Sequence, residues 1–331
     1  MRKKIFCWVL VCALLFVLSL GVRWFFHKTF LKTSDTLSLS YVPSATNYWR
    51  RNYFYVHDNV LYFVEHGPDI KDIVKYVKND VIHTYAKIPS GYDRFIIIDD
   101  KSALIQWKDI VHLLNVADDS LVELWEGECV GYYDGLVYFT KDNMLYSAKI
   151  SETEPKAIIS FDDLLASDYN GITYQKGENI YQFVLSQPNE PKLLTTGDIP
   201  WPESRDGWLP INPYLFTSEY ALHIGDSALY MYVYKTGEMK RIFEVKEWCC
   251  AMAVVAHKDE LYVSRQCTDS KFWPVRNKQI NGTYKYDIIE NTWTRISKET
   301  YSVLVQFDEH NLYGHHNRTS FFPGPTRINI G

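Results

Sequence analysis

The sequence lacks the motifs of the common enzyme classes. Its 331 residues contain no glycine-rich phosphate loop, no GxSxG nucleophile elbow, no HExxH zinc motif and no EF-hand calcium loop. The adjacent acids Asp99-Asp100, Asp118-Asp119 and Asp162-Asp163 are poor candidates for a catalytic pair, because neighbours on a strand point to opposite faces. We therefore predict no catalytic residue, no metal ligand and no cofactor.

Acidic residues are absent from the first 32 positions, which hold six of the 35 basic residues. The remaining chain has 29 basic and 40 acidic residues, a net charge of −11. Phosphate neutralisation supplies most of the affinity for nucleic acids, so an acidic body disfavours them as partners.

Only one stretch lacks charge for long enough to span a membrane. Ile5 to Val22 is an uncharged run of 18 residues, the lower limit for a spanning helix. A signal-anchor helix is the favoured interpretation. The small residues around Ser19-Leu20-Gly21 also fit a signal peptide whose cleavage after about residue 21 would release a secreted protein. A buried core helix is the third alternative.

The basic cluster at the N-terminal tip favours a cytoplasmic N-terminus. We accordingly expect residues 1–32 to form a transmembrane anchor with a short juxtamembrane region. Residues 33–331 then form a domain outside the cytoplasm, in a single-pass membrane protein.

Helical periodicity is nearly absent from the body, apart from one turn that Asp162–Ala166 could form. Aromatic residues reach 16%, which favours strands. A polar turn followed by an aliphatic residue and usually Tyr recurs at an average spacing of about 42 residues. Its anchor position falls at Tyr62, Ile105, Tyr146, Tyr181, Tyr230, Tyr262 and Tyr313.

This period predicts an all-β propeller of about seven four-stranded blades, with six or eight as alternatives. In some units the anchor lies on the second strand and in others on the third. Six polar segments are predicted as outer hairpins: 77–80, 117–120, 151–155, 187–191, 235–238 and 289–292. The seventh unit lacks a last strand, which Leu37–Val42 is expected to supply. The alternative architectures are a β-sandwich, two stacked β-domains or a β-helix.

The segment Gly282 to Ile296 contains Tyr286-Asp287 followed six residues later by Trp293. This spacing resembles the strand–turn–strand end of a kelch repeat, in which the Trp packs between blades. Other units, such as the one from Tyr133 to Ile159, look like the Tyr-rich propeller repeats of exported bacterial proteins. The resemblance implies a fold and a compartment, and it implies no activity.

Two segments rich in Pro and Trp interrupt the repeats: Gly197–Tyr214 and Thr268–Asn281. Aromatic and Arg side chains on loops are typical of binding surfaces, although they also pin loops to a scaffold as a lid. Both interpretations stay open. The predicted binding residues are Trp201, Arg205, Trp208, Tyr214, Trp273 and Arg276.

Cysteines in an exported domain can form disulfides. With Lys258-Asp259 as a two-residue turn, Cys250 lies opposite Cys267, and we predict a bond between them. A shift of one residue brings Cys249 opposite Cys267 instead. Reduced thiols packed as small apolar groups are the alternative.

These features together predict a membrane-anchored extracytoplasmic propeller that acts as a non-catalytic binding or scaffold module. Its expected ligand is a protein, a peptide or a glycan. One alternative is a hydrolase or lyase that uses carboxylates at the propeller mouth. A structural subunit of an envelope assembly is another.

Removal of residues 1–32 is expected to leave a folded protein that no longer partitions into membranes, because the only long apolar run is lost. Fractionation and far-ultraviolet circular dichroism, with the full chain as control, check this. A truncated protein that still pellets with membranes would contradict the single anchor.

Overall fold

The structure is a computed structural model of the chain. It describes residues 54–58, 60–66, 71–78, 81–169, 171–201, 214–224, 228–244, 248–257, 259–268, 281–301, 303–308, 311–315 and 326–329. Within these ranges there is no helix long and apolar enough to cross a membrane. The predicted anchor in residues 1–32 and the predicted closing strand Leu37–Val42 lie outside the described residues and stay predictions.

All regular elements of the described chain are strands. Blade 1 comprises β1 (Phe54–His57), β2 (Val60–His66), β3 (Lys71–Lys78) and β4 (Val81–Pro89), and blade 2 comprises β5 (Arg94–Ile97), β6 (Ser102–Trp107), β7 (Ile110–Asn115) and β8 (Ser120–Glu126). Blade 3 comprises β9 (Glu128–Tyr133), β10 (Leu136–Lys141), β11 (Met144–Ala148) and β12 (Lys156–Ser160), and blade 4 comprises β13 (Asp163–Asp168), β14 (Gly171–Lys176), β15 (Asn179–Val184) and β16 (Lys192–Thr196).

The remaining strands form three further blades. Blade 5 comprises β17 (Tyr214–Phe216), β18 (Tyr220–Ile224), β19 (Ala228–Val233) and β20 (Glu238–Glu244). Blade 6 comprises β21 (Trp248–His257), β22 (Glu260–Thr268), β23 (Gly282–Asp287) and β24 (Thr292–Ser297). Blade 7 comprises β25 (Val303–Asp308), β26 (Asn311–His315) and β27 (Thr326–Asn329).

The predicted all-β propeller is confirmed. In the described chain, six sheets have four antiparallel strands in sequence order and a seventh has three. The first strand of each blade lies innermost, since β1 contacts β5, β5 contacts β9, β9 contacts β13 and β21 contacts β25. Each of the six predicted outer hairpins joins the third strand of a blade to its fourth.

The Tyr anchors occupy one kind of site, a cross-strand pair between second and third strands. In blade 1 the anchor Tyr62 lies on the second strand and pairs with Tyr76. In blade 3 the anchor Tyr146 lies on the third strand and pairs with Phe139. Paired rings of this kind stabilise a sheet, and both strands of the pair can supply the Tyr.

The core consists of apolar clusters between successive blades. Trp125 on the outer strand of blade 2 stacks on Phe139 of blade 3, with ring centroids 5.3 Å apart and planes at 5°. Comparable clusters join every further pair of neighbours from blade 1 to blade 7. A blade therefore buries its two faces against two different neighbours.

Two local expectations have clear outcomes. Residues 163–166 belong to strand β13, so the helical turn proposed for Asp162–Ala166 is wrong; β13 pairs with β14 and is the innermost strand of its blade. The Trp of the kelch-like segment, Trp293, packs against a cluster drawn from blades 5 and 6, with its ring 4.7 Å from that of Tyr286. Pairing with β14 holds residues 163–166 in a strand. Packing between blades 5 and 6 explains the position of Trp293.

Deletion of residues 37–42 is expected to destabilise the protein. Within the described residues, β27 is the outer edge of the three-stranded sheet, so a strand supplied by Leu37–Val42 would complete it. Loss of its ladder hydrogen bonds should lower the free energy of unfolding by roughly 3–6 kcal/mol, as measured by urea denaturation.

A deletion of the same length at residues 24–29 serves as the control and should change the unfolding midpoint little. Equal effects of the two deletions would contradict the proposed closure.

Candidate functional site

Blade topology decides on which face each connection lies. Strands alternate in direction within an antiparallel blade, so connections from second to third strands share a face with those between successive blades. We call this side the insertion face. Residues 197–213 lie between β16 and β17, and residues 269–281 lie between β22 and β23. The ends of both predicted insertions therefore lie on the insertion face.

A third long connection, residues 316–325, joins the second and third strands of blade 7 and also begins and ends on this face. It was not predicted from the sequence, because the last unit was interpreted only as incomplete. Its Phe321-Phe322-Pro323 signature resembles the composition of the other two insertions and could have revealed it. The three longest connections between described strands thus share one face: the first leads from blade 4 into blade 5, and the other two lie within blades 6 and 7.

Hydrogen bonds between turns fix the insertion face in blades 2 to 4. The amide of Gly127 donates to the carbonyl of Asp109 (2.8 Å), and that of Phe161 donates to the carbonyl of Asn143 (3.0 Å). The amide of Gly197 makes the equivalent bond to Glu178 (2.5 Å), directly before the first insertion. The start of this insertion is therefore held by the same kind of turn-to-turn hydrogen bond as the short turns.

Trp201 is the one predicted binding residue whose side chain is described. It is half-buried and packs against an apolar cluster that includes Leu194 of blade 4 and Phe216 of blade 5. Its ring lies 5.4 Å from that of the buried His223. These contacts support the pinning role for Trp201.

The other predicted binding residues are less visible. Tyr214 begins strand β17, opposite His223, but its side chain is outside the described residues. Arg205, Trp208, Trp273 and Arg276 lie wholly outside them. Their proximity on the insertion face stays a prediction.

Two carboxylates on the insertion face, those of Glu126 and Asp162, are engaged in structural hydrogen bonds. Lys141 donates to Glu126 at 2.7 Å, and this hydrogen bond lowers the pKa of the Glu126 carboxyl. Asp162 accepts the amide of Gly177 at 2.7 Å. A general acid needs a raised pKa, so Glu126 is not poised for that role. Among the described residues, no group of three or more His, Cys, Asp or Glu is placed to hold a metal ion.

Inside the ring, Arg94 connects three blades. It begins β5 in blade 2, and its Nη1 donates to the carbonyls of Cys129 (2.8 Å) and Val130 (3.2 Å) in blade 3. The same nitrogen donates to the Ser167 hydroxyl of blade 4 (2.8 Å), and Nη2 donates to the Ser167 carbonyl (3.2 Å). The carboxylate Oε1 of Glu128 lies 4.0 Å from Nη2 of Arg94. The guanidinium thus links the inner strands β5, β9 and β13 by hydrogen bonds.

Two tyrosines meet beside Arg94. The rings of Tyr55 in blade 1 and Tyr169 at the end of β13 are 4.9 Å apart, edge to face, and the Tyr169 ring also lies 5.7 Å from the guanidinium. We call Tyr55, Arg94, Cys129, Ser167 and Tyr169 the channel cluster. Burial raises the pKa of the Cys129 thiol to about 12, against the effect of Arg94. This thiol is therefore protonated at neutral pH and is not a nucleophile.

The cysteine hairpin has its predicted turn, with His257 opposite Glu260 and Val255 opposite Tyr262. A register shift between Cys249 and Ala251 then places Cys249 opposite Cys267. The predicted partner, Cys250, lies at the irregularity. The side chains of these cysteines are outside the described residues, so their bonding is untested.

The sequence matches no protein-family profile and no curated protein sequence. It is similar to a chain of the mitotic checkpoint complex, with 9% identity, a TM-score of 0.48 and coverage of 90% of this chain and 97% of that chain. The extracellular domain of a putative hybrid two-component system from B. thetaiotaomicron has 12% identity and a TM-score of 0.45, with coverage of 85% and 39%. U3-55K has 10% identity and a TM-score of 0.44, with coverage of 82% and 92%. Similarities this distant carry no conclusion about function.

Substitution Arg94→Ala is expected to lower the free energy of unfolding by about 2–4 kcal/mol, because it removes four partly buried hydrogen bonds to blades 3 and 4. Arg94→Lys should lower the free energy of unfolding by less than Arg94→Ala, since its ammonium group keeps the charge but cannot reproduce the planar fork of the guanidinium. Urea denaturation measures both. The exposed Lys156→Ala on β12 is the control, and an Arg94→Ala midpoint equal to that of Lys156→Ala would contradict the role of Arg94.

Proposed function

We propose that this chain is a membrane-anchored, extracytoplasmic propeller that serves as a non-catalytic binding or scaffold module. The β-propeller itself is shown, and the anchor and the compartment come from the sequence. The proposed ligand is a protein, a peptide or a glycan that docks on the insertion face.

One observation carries the proposal: the three longest connections between described strands share one face. Functional loops on a rigid scaffold concentrate in this way, because the scaffold fixes their ends while their composition is free to vary. The first two insertions bring the proposed contact residues Arg205, Trp208, Tyr214, Trp273 and Arg276, together with Trp201, whose packing also pins the first insertion. Trp and Arg are the residue types that most often dominate binding energy at interfaces.

The opposite face offers a contrast. There the third-to-fourth-strand turns bond to first-to-second-strand turns of the same blade, as Val116 does to Lys101 (2.9 Å) and Ile288 does to Asp259 (2.8 Å). The connections on that side are at most about seven residues long. Short interlocked turns provide less adaptable surface than long aromatic loops.

The test compares the two faces. The full-length chain in mild detergent is immobilised and offered an envelope extract of the source cells and, separately, a glycan array. Trp273→Ala and Arg276→Ala should each weaken capture about tenfold or more, the effect of losing an interface hot spot. Surface plasmon resonance with the captured partner gives the Kd.

Tyr133→Ala is the matched control. Tyr133 ends β9 on the opposite face, and 44% of it is exposed. Its substitution should leave capture unchanged. Loss of capture in Tyr133→Ala together with retention in the Trp273 and Arg276 variants would refute the assignment of the insertion face.

A further inference from the structure

The inner hairpin of blade 6 extends past its third strand at the insertion face. The last pair between β22 and β23 joins Arg265 to Gly282. The final three residues of β22 continue to pair with β21 alone, ending with Thr268 opposite Trp248. In the described chain this end of the blade is therefore two-stranded, and a two-stranded ribbon is only marginally stable in water.

A bulge decides which cysteines face each other in this two-stranded end. From the turn to Ala251, each residue of β21 lies opposite the β22 residue that the two-residue turn predicts. One extra residue then enters β21, Cys250, and the pairing moves by one position. Cys249 is consequently directly opposed to Cys267.

We propose that Cys249 and Cys267 form a disulfide that closes this two-stranded end, and that Cys250 is not a partner in it. Directly opposed residues of an antiparallel pair have Cα atoms about 4.5–5.5 Å apart, inside the range of about 4.4–6.8 Å for disulfides. A bond between the adjacent Cys249 and Cys250 would instead strain the peptide between them. The register therefore chooses one pair among the three.

The bond forms by thiol–disulfide exchange with a protein or small-molecule disulfide as oxidant. One cysteine thiolate attacks a sulfur of the oxidant and releases its first thiol, and the second cysteine thiolate then displaces the other. Two electrons pass to the oxidant, which leaves as two thiols carrying the two cysteine protons. An oxidising compartment, which is part of the proposed function, is where this bond would persist.

The position of the bond gives it a consequence for the insertion face. Cys267 directly precedes Thr268, where β22 ends and the second insertion begins. The disulfide ties this root of the insertion to β21, the innermost strand of the blade. The loop that carries Trp273 and Arg276 would then start from a fixed point.

The test uses the purified full-length chain equilibrated with oxidised and reduced glutathione, so it does not depend on the compartment. After alkylation, trypsin should yield peptide 247–258 linked to peptide 266–271. The linked pair is expected in the unmodified chain and in Cys250→Ser, and it should be absent from Cys249→Ser. Recovery of Cys267 as an alkylated free thiol under the most oxidising mixture, or a link that survives Cys249→Ser and disappears in Cys250→Ser, would overturn the proposal.

A thermal melt gives a second readout. Reduction should lower the Tm of the unmodified chain and of Cys250→Ser by about 5–10 °C, the scale for a loop of this size, and leave Cys249→Ser unchanged. Equal Tm shifts in Cys249→Ser and Cys250→Ser would also contradict the bond. Ligand capture on the insertion face is scored separately: a free Cys267 with capture intact refutes only the disulfide, whereas a linked Cys267 without face-specific capture refutes only the proposed function.

Discussion

Each blade is a single sheet with two apolar faces, and the burial of both faces against neighbouring blades is the constraint on which the rest of the structure depends. No blade can bury its own faces, so the chain is stable only as a ring. Large rings carry much of this burial, as in the stack of Trp125 on Phe139 across the boundary between blades 2 and 3. Complete burial of a side chain of that size contributes about 1.5–3 kcal/mol. The recurring Tyr anchors reflect this requirement in the sequence, since Tyr62 and Tyr262 belong to apolar clusters between blades.

The inner strands meet a second requirement, since their partly buried polar groups need hydrogen-bond partners. Arg94 meets it by donating to oxygens of two other blades, and a tyrosine pair fills the adjacent volume. The sequence could not predict the channel cluster. Cys129 and Ser167 lie 35 and 73 residues after Arg94 in the chain, and an isolated Arg at the start of a strand has no periodic signal. Only the ring brings these residues together.

Much of the fold could be predicted because turn chemistry is local. Asp142-Asn143 adopts left-handed backbone angles (φ 49° and 58°), which few other residues tolerate, so such pairs mark strand ends reliably. The strand phase could not be assigned in advance, because second and third strands both carry an aromatic residue at the paired position, as Tyr62 and Tyr76 do. The bulge at Cys250 could not be predicted either, since residues 248–256 are all apolar and no break in a polar–apolar alternation marks the extra residue.

The separation between scaffold and insertions explains how one face could acquire long loops without loss of the ring. The first insertion begins only after Gly197 has made the turn-to-turn bond found in blades 2 and 3, and Trp201 then packs on the blades beneath. Lengthening a loop costs little once its ends are fixed, about 0.6 kcal/mol for each doubling. The residues beyond Trp201 therefore add little to the free-energy cost of closing this loop. The Trp and Arg residues of this segment are the side-chain types that the proposed binding role would use.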